Sequence, residues 1–146
     1  MTFEELNSVR KMKKQIAEEN KKLKALEIVI ESFPHKYGKS EGGGQTSKIP
    51  TSPFEIFLMQ KCDCEEKIEK LQTQLREEVP RLTKKIQENF TDSTEQTLLL
   101  YRYVACKFFK EISFLLGYSE SKIYKMHKQI LKNTVEYSSK QLQTVQ

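Results

Sequence analysis

Apolar residues recur along the first thirty-odd positions with a period of seven. Val9, Ile16, Leu23 and Ile30 stand seven apart, and Met12, Leu26 and Phe33 follow three positions after members of that set. Glu5 and Glu19 occupy places where the second set would continue. Lys and Glu fill the flanks, so the pattern predicts one helix over 1–33 with a heptad-like apolar seam. Pro34 and Gly38 end it.

A second stripe runs Cys64, Ile68, Leu71, Leu75, Val79, Leu82, Ile86 and Phe90, in steps of three and four. It predicts a helix over 53–90, capped by Ser52 and opened by Pro53 in its first turn. Pro80 falls inside the stripe and is expected to kink or divide the helix. Between the two helices, residues 34–52 (PHKYGKSEGGGQTSKIPTS) have the composition of a flexible Gly/Ser/Pro linker. No strand precedes its glycines and no GK[ST] follows them, so a phosphate-cradling loop is not expected. Pairing of the helices along their seams is the simplest arrangement. The spacing leaves open whether they run parallel or antiparallel, and within one chain or between two.

After Phe90 the texture changes. Thr91, Asp92 and Ser93 are helix-start residues, and Ser93 with Gln96 has capping-box spacing. The segments TEQTLLLYRYV, KFFKEISFLLG and SESKIYKMHKQIL then read as three short helices. Gly117 suits the left-handed residue that closes one helix, and Ser119 the cap of the next. The expected fold is therefore all-α: two long coiled-coil-like helices and a linker, then a helix-turn-helix domain with a C-terminal tail over 91–146.

At 100° per residue the last helix splits cleanly. Ile123, Met126, His127 and Ile130 share one side, with Tyr124 and Leu131 at its edge; Ser121, Lys122, Lys125, Lys128, Gln129 and Lys132 share the other. Such a helix can pack its apolar side on its neighbours and lay its polar side in a DNA groove. Lysines and Tyr124 then reach phosphates, while Ser121, Lys122, Lys125 and Gln129 reach base edges. A solvated basic face with no ligand would have the same pattern. His127, among apolar residues, reads as a core histidine.

Charge supports this placement. Residues 1–32 carry seven basic and six acidic side chains and residues 53–90 seven and eight, whereas residues 91–146 carry eight and five. Much of the net +5 thus sits at the C-terminal end, a modest excess that permits nucleic-acid binding. The chain is 37% hydrophobic and 31% charged and has no run of about 20 apolar residues, so no membrane span is expected. MTFEELNSVRKMKK lacks the apolar core of a signal peptide, which points to a cytoplasmic protein. Three cysteines argue for free thiols, and Cys62 and Cys64 point to opposite faces of a helix. With only His35 and His127 besides, no metal or cofactor site assembles from the sequence. Asp63, Glu65 and Glu66 cluster near Cys64, but no base–nucleophile pair or carboxylate dyad stands at a recognisable spacing, so no enzyme is expected. A deep pocket joining Asp63, Cys62 and a histidine would argue otherwise.

The run LYRYVACKFFKEISFLLGYSESKIYKMHKQIL resembles the C-terminal part of phage transcriptional regulators of the ArpU/RinA kind, which are similar in turn to the helix-turn-helix of sigma-factor region 4. Leu100, Arg102-Tyr103 with Val104, Glu111-Ile112, Leu116-Gly117-Tyr118-Ser119, and Ile123-Tyr124 with His127 carry the likeness. It implies a prophage-encoded regulator, for instance of late phage genes, in the cytoplasm of a bacterial host. The implied partners are double-stranded DNA, read by the last helix from Ser119 to Lys132, and RNA polymerase. The long helices would then set oligomeric state, and loss of residues 1–50 would mainly affect assembly. The chain departs from the pattern at three places: Cys106 where such sequences have glycine, Phe108 where they have a capping Ser or Thr, and Phe114 where a polar residue is expected. Phe108, Phe109 and Phe114 are thus a candidate protein-contact surface. The alternative function is a helical interaction or assembly module: an RNA polymerase-binding adaptor, or a packaging protein similar to a small terminase.

Overall fold

The computed structural model describes residues 1–34 and 52–134, so residues 35–51 of the expected 34–52 linker, with His35, and residues 135–146 lie outside the described residues. The described chain is all-helical. In order it forms α1 (Phe3–Leu6), α2 (Ser8–Glu31), α3 (Pro53–Asn89), α4 (Ser93–Leu99), a π-helical turn (Leu100–Val104), α5 (Phe109–Leu116) and α6 (Glu120–Thr134). The chain divides into two compact units: Lys14–Thr73, and Met1–Lys13 together with the chain from Gln74 onward.

The helix ends follow their caps. At the start of α1 the Thr2 N–H donates to the Glu5 carboxylate and the Glu5 N–H to the Thr2 hydroxyl oxygen, and Ser52 accepts from the Glu55 N–H at 3.2 Å as expected. The first helix is interrupted at Asn7, whose short amide is a poor helix former; its side chain accepts from Arg10. α4 is capped by Asp92, which accepts from the Glu95 N–H at 3.0 Å, rather than by the Ser93–Gln96 pair; Gln96 instead reaches the Phe90 carbonyl. Pro80 does not divide α3. It lies on the exposed side of the helix, where water can serve the backbone groups that a proline disturbs.

In the unit Lys14–Thr73, α2 and α3 run antiparallel within one chain. The Phe33 ring lies 5.6 Å from Phe54 and 5.8 Å from Phe57, while Glu19, fourteen residues earlier, meets Cys64 and Lys67. The seam residues Ile16, Leu23, Leu26 and Ile30 of α2 are half-buried, and Cys64 and Ile68 on the stripe of α3 are buried. Glu19 is only 8% exposed. Its carboxylate is met by Lys67 at 3.1 Å and Lys22 at 3.3 Å, and the Cys64 thiol donates to the Glu19 carbonyl at 3.2 Å. The Lys67 contact leads in holding this carboxyl below its ordinary range, while burial and then the Glu19 contact push the Cys64 thiol up.

The other unit is built on one core. Leu6 and Val9 from the N-terminal helices and Leu82, Ile86 and Phe90 from α3 pack with Leu98, Leu99, Tyr103, Ile112, Ile123, Ile130 and Leu131. Lys85 meets Glu5 at 3.2 Å, and Ser8 donates to Glu78 at 3.0 Å, so α3 is antiparallel to the N-terminal helices here too. The linear division at residue 90 is therefore not the division of packing, because the short C-terminal helices share their core with α1, the start of α2 and the C-terminal part of α3. Loss of residues 1–50 would take Leu6 and Val9 out of that core, an effect on folding rather than on assembly alone.

The π-helical turn joins α4 to α5. The Ala105 N–H donates to the Leu100 carbonyl at 2.9 Å and the Lys107 N–H to Tyr101 at 2.8 Å, and Lys13 donates to the Val104 carbonyl at 3.2 Å. Just beyond it Cys106 has φ = 57°, the left-handed region that favours glycine. A non-glycine residue held in this region carries strain, and here it is a cysteine. Cys106→Gly is expected to be more stable than Cys106→Ala by about 1 kcal/mol in urea denaturation, the reverse of their order at an ordinary helical site.

Candidate nucleic-acid interface

α5, its turn and α6 form the element on which most of the sequence-derived site residues fall. Gly117 closes α5 at φ = 75°, and its N–H and that of Tyr118 both donate to the Ser113 carbonyl, at 2.9 and 3.2 Å. A Cβ at Gly117 would meet nothing within 4 Å, so backbone conformation, not space, calls for glycine. The Ser113 hydroxyl donates back to the Tyr118 carbonyl at 2.5 Å and pins the turn. Ser119 then caps α6 by accepting from the Lys122 N–H at 3.2 Å. Its side chain thus has a local structural task as well as its exposed position.

α6 is divided as its wheel predicts. Ile123, Ile130 and Leu131 are buried, and Met126 and His127 half-buried. Ser119, Ser121, Lys122, Lys125, Lys128, Gln129 and Lys132 are all exposed. Leu131, at the edge of the wheel, is drawn fully into the core. Tyr124, 53% exposed, rests its ring on Phe109 at 4.6 Å and leaves its outer surface free for contact. Lys122 Nζ lies 4.2 Å from the Tyr118 ring centre, which steadies one basic group over the turn.

α6 is anchored from behind by a cluster the sequence only partly disclosed. Tyr103, presented by the π-helical turn, is 1% exposed; its ring stacks on His127 at 5.7 Å and its hydroxyl lies 2.5 Å from His127 Nε2. Phe109 meets His127 edge-on at 4.9 Å. Grouped from sequence with Phe108 and Phe114, Phe109 in fact turns inward, and the Arg102 guanidinium sits 4.0 Å from its ring centre. Arg102 donates to the Lys107 carbonyl at 3.1 Å, while its Nε is buried without a hydrogen-bond partner among the described residues. Burial first, then Arg10, lowers the Arg102 pKa; burial, then Arg102 and Arg10, brings His127 down to about 4. His127 is thus neutral near pH 7 and serves the core. Arg102, set in the apolar run LYRYV, was the sequence signal for this cluster.

Phe108 and Phe114 point the other way, at 73% and 88% exposure, and Leu115, which the sequence reading did not single out, is 51% exposed.

No family model, curated protein or solved structure matches this chain. Function must therefore be argued from the chain's own surfaces. In the unit Lys14–Thr73 an open cavity of about 490 Å³ lies between α2 and α3, with Leu26 and Val29 in its wall beside Asp63 and Cys64. Neither Cys62, which is exposed, nor a histidine lines it. Among the described residues no three His, Cys, Asp or Glu side chains are grouped to hold a metal ion, and no helix is long and apolar enough to cross a membrane. The exposed stripe of α6 offers hydrogen-bond donors and positive charge on a rigid element, the chemistry that phosphates and base edges take.

The anchor has a pH signature. Below about pH 6.5 the unfolded chain gains a proton that folded His127 refuses until about pH 4, so stability is full above 6.5 and falls through this window. Chemical denaturation is expected to lose up to about 1.4 kcal/mol per pH unit there, and His127→Gln to flatten that slope. In an NMR titration the His127 imidazole is expected to protonate near pH 4.

Proposed function

We propose that this chain is a DNA-binding transcriptional regulator encoded by a prophage, with α6 as the helix that enters the major groove. One observation carries the reading: α6 buries its apolar stripe in a core shared with α1, α2, α3, α4 and α5, and its opposite stripe, with Lys122, Lys125, Lys128 and Lys132, faces out. A helix fixed from behind and basic in front is the arrangement by which helix-turn-helix proteins read DNA. Gly117 and Ser119 give the turn that such a motif uses, and the likeness of residues 100–131 to ArpU/RinA-type regulators adds the phage context. On this reading Ser121, Lys122, Lys125 and Gln129 reach base edges. Tyr124, Lys128 and Lys132 contact phosphates, and the Ser119 backbone and hydroxyl sit at the helix N-terminus, where a phosphate is also favoured. The protein would act at promoters in the host cytoplasm, with RNA polymerase as a second partner.

A DNA-binding assay with fragments from the chain's own genomic surroundings tests the reading. Saturable, sequence-dependent binding is expected, with a log–log salt slope of about −0.9 per phosphate neutralised. Lys122→Ala with Lys125→Ala is expected to weaken specific binding by roughly tenfold or more. Because both side chains are exposed, thermal unfolding should be little changed. Undiminished binding by the double variant would remove α6 from the role of recognition helix.

A further inference from the structure

We propose that the outward face of α5, with Phe108 at its start, is a docking surface for an acidic amphipathic helix of a partner protein. α5 reads FKEISFLL, and five of its eight residues are apolar. Phe109, Ile112 and Leu116 supply its inward packing. Phe114 and Leu115 add a second apolar face, left open beside Phe108. Apolar side chains grouped on an exposed helix face mark a surface that a partner covers.

Phe108 adds an independent sign. Its backbone, at φ = −73° and ψ = 153°, is that of a helix cap, yet its side chain makes no capping hydrogen bond. Only the reciprocal half of a capping box is present, with the Phe108 N–H donating to Glu111 at 3.3 Å. A serine here would cap the helix and remove an exposed ring; the chain has the ring instead.

Charge chooses the occupant. Lys110 stands one helical turn before Phe114 on the same face, and Lys107 lies at its start. Glu111, the acid of this face, is engaged by the Phe108 N–H and pairs with Lys107 at 3.8 Å, so the two charges offset each other and Lys110 leaves the apolar face with a net positive charge. A helix with apolar residues at i, i+3 and i+4 and acidic flanks complements both properties. Nucleic acid fits less well, since Leu115 has no π-face on which a base could stack.

The test uses the full chain, isotope-labelled for NMR, and two synthetic amphipathic peptides with one leucine pattern, flanked by glutamates or by lysines. The glutamate peptide is expected to shift the amides of residues 108–116 saturably and to bind at least tenfold more tightly than the lysine peptide. Phe108→Ser with Phe114→Ser is expected to weaken it at least tenfold. Phe108→Ser alone should raise the melting temperature by about 3–6 °C, so loss of binding would not reflect unfolding. Equal binding of the two peptides, no shift at 108–116, or undiminished binding by the double variant would overturn the proposal. So would concentration-dependent shifts of these amides without peptide, which would assign the face to a second copy of the chain, or tighter binding of a single-stranded oligonucleotide there. Duplex binding by the phenylalanine variant and peptide binding by Lys122→Ala/Lys125→Ala are each expected within twofold of the parent. Failure of this surface and failure of the α6 reading are thus separable.

Discussion

The contact between Tyr103 and His127 fixes where α6 lies in its unit. Tyr103 is the most voluminous of the fully buried side chains, and its ring touches elements from both ends of the sequence. It stacks on His127 of α6, meets Phe3 of α1 edge-on at 6.4 Å, and has the Arg10 guanidinium of α2 at 5.9 Å from its centre. The π-helical turn makes this possible. One extra residue in the turn shifts the side chains after it by about 100° relative to a continuous α-helix, which re-aims the residues around Tyr103. The contact needs a neutral imidazole, because a charge there would be buried facing Arg102 and Arg10. The position of the basic face therefore depends on a hydrogen bond and a stacked pair on the opposite side of α6.

The long helices show which part of a seam can be read in advance. Every residue assigned to the two stripes is at least half-buried, from Val9 to Phe33 and from Cys64 to Phe90, since apolar periodicity directly reports the face removed from water. Direction was not legible, because a heptad repeat looks alike read against a parallel or an antiparallel partner. The two glutamates that interrupt the first stripe turn out to decide it. Glu5 meets Lys85 and Glu19 meets Lys67. An acidic residue in an apolar seam is costly unless a partner arrives, so each pair penalises a shifted register.

Within the candidate interface, local chemistry was the legible part. Gly117, Ser119 and the two faces of α6 follow from backbone and wheel rules that need only neighbouring residues. What escaped was decided by distant ones. Phe109 looks identical to Phe108 in sequence, but it begins a helix whose inward face is completed by His127, Tyr124 and Arg102, and it turns toward them. The boundary of the unit escaped for a similar reason. Val9 satisfies a heptad whichever helix it meets, Leu6 stands outside the heptad, and nothing local says that both meet the C-terminal helices.

Cys106 and Phe108 then acquire a common meaning. Both stand within three residues of the start of α5, and each sets aside a local rule: a left-handed backbone without glycine, and a helix cap without a capping side chain. Natural sequences usually agree with such rules, and exceptions concentrate where a surface serves something besides stability. Cys106 has a packing return, since its half-buried side chain lies against the core. Phe108 has none of that kind, because its ring projects into solvent. The same is true of Phe114, one and a half turns further on. Two phenylalanines left outside a helix already filled on its inner side add nothing to the packing of the fold, and the proposed docking surface is the role that would account for them.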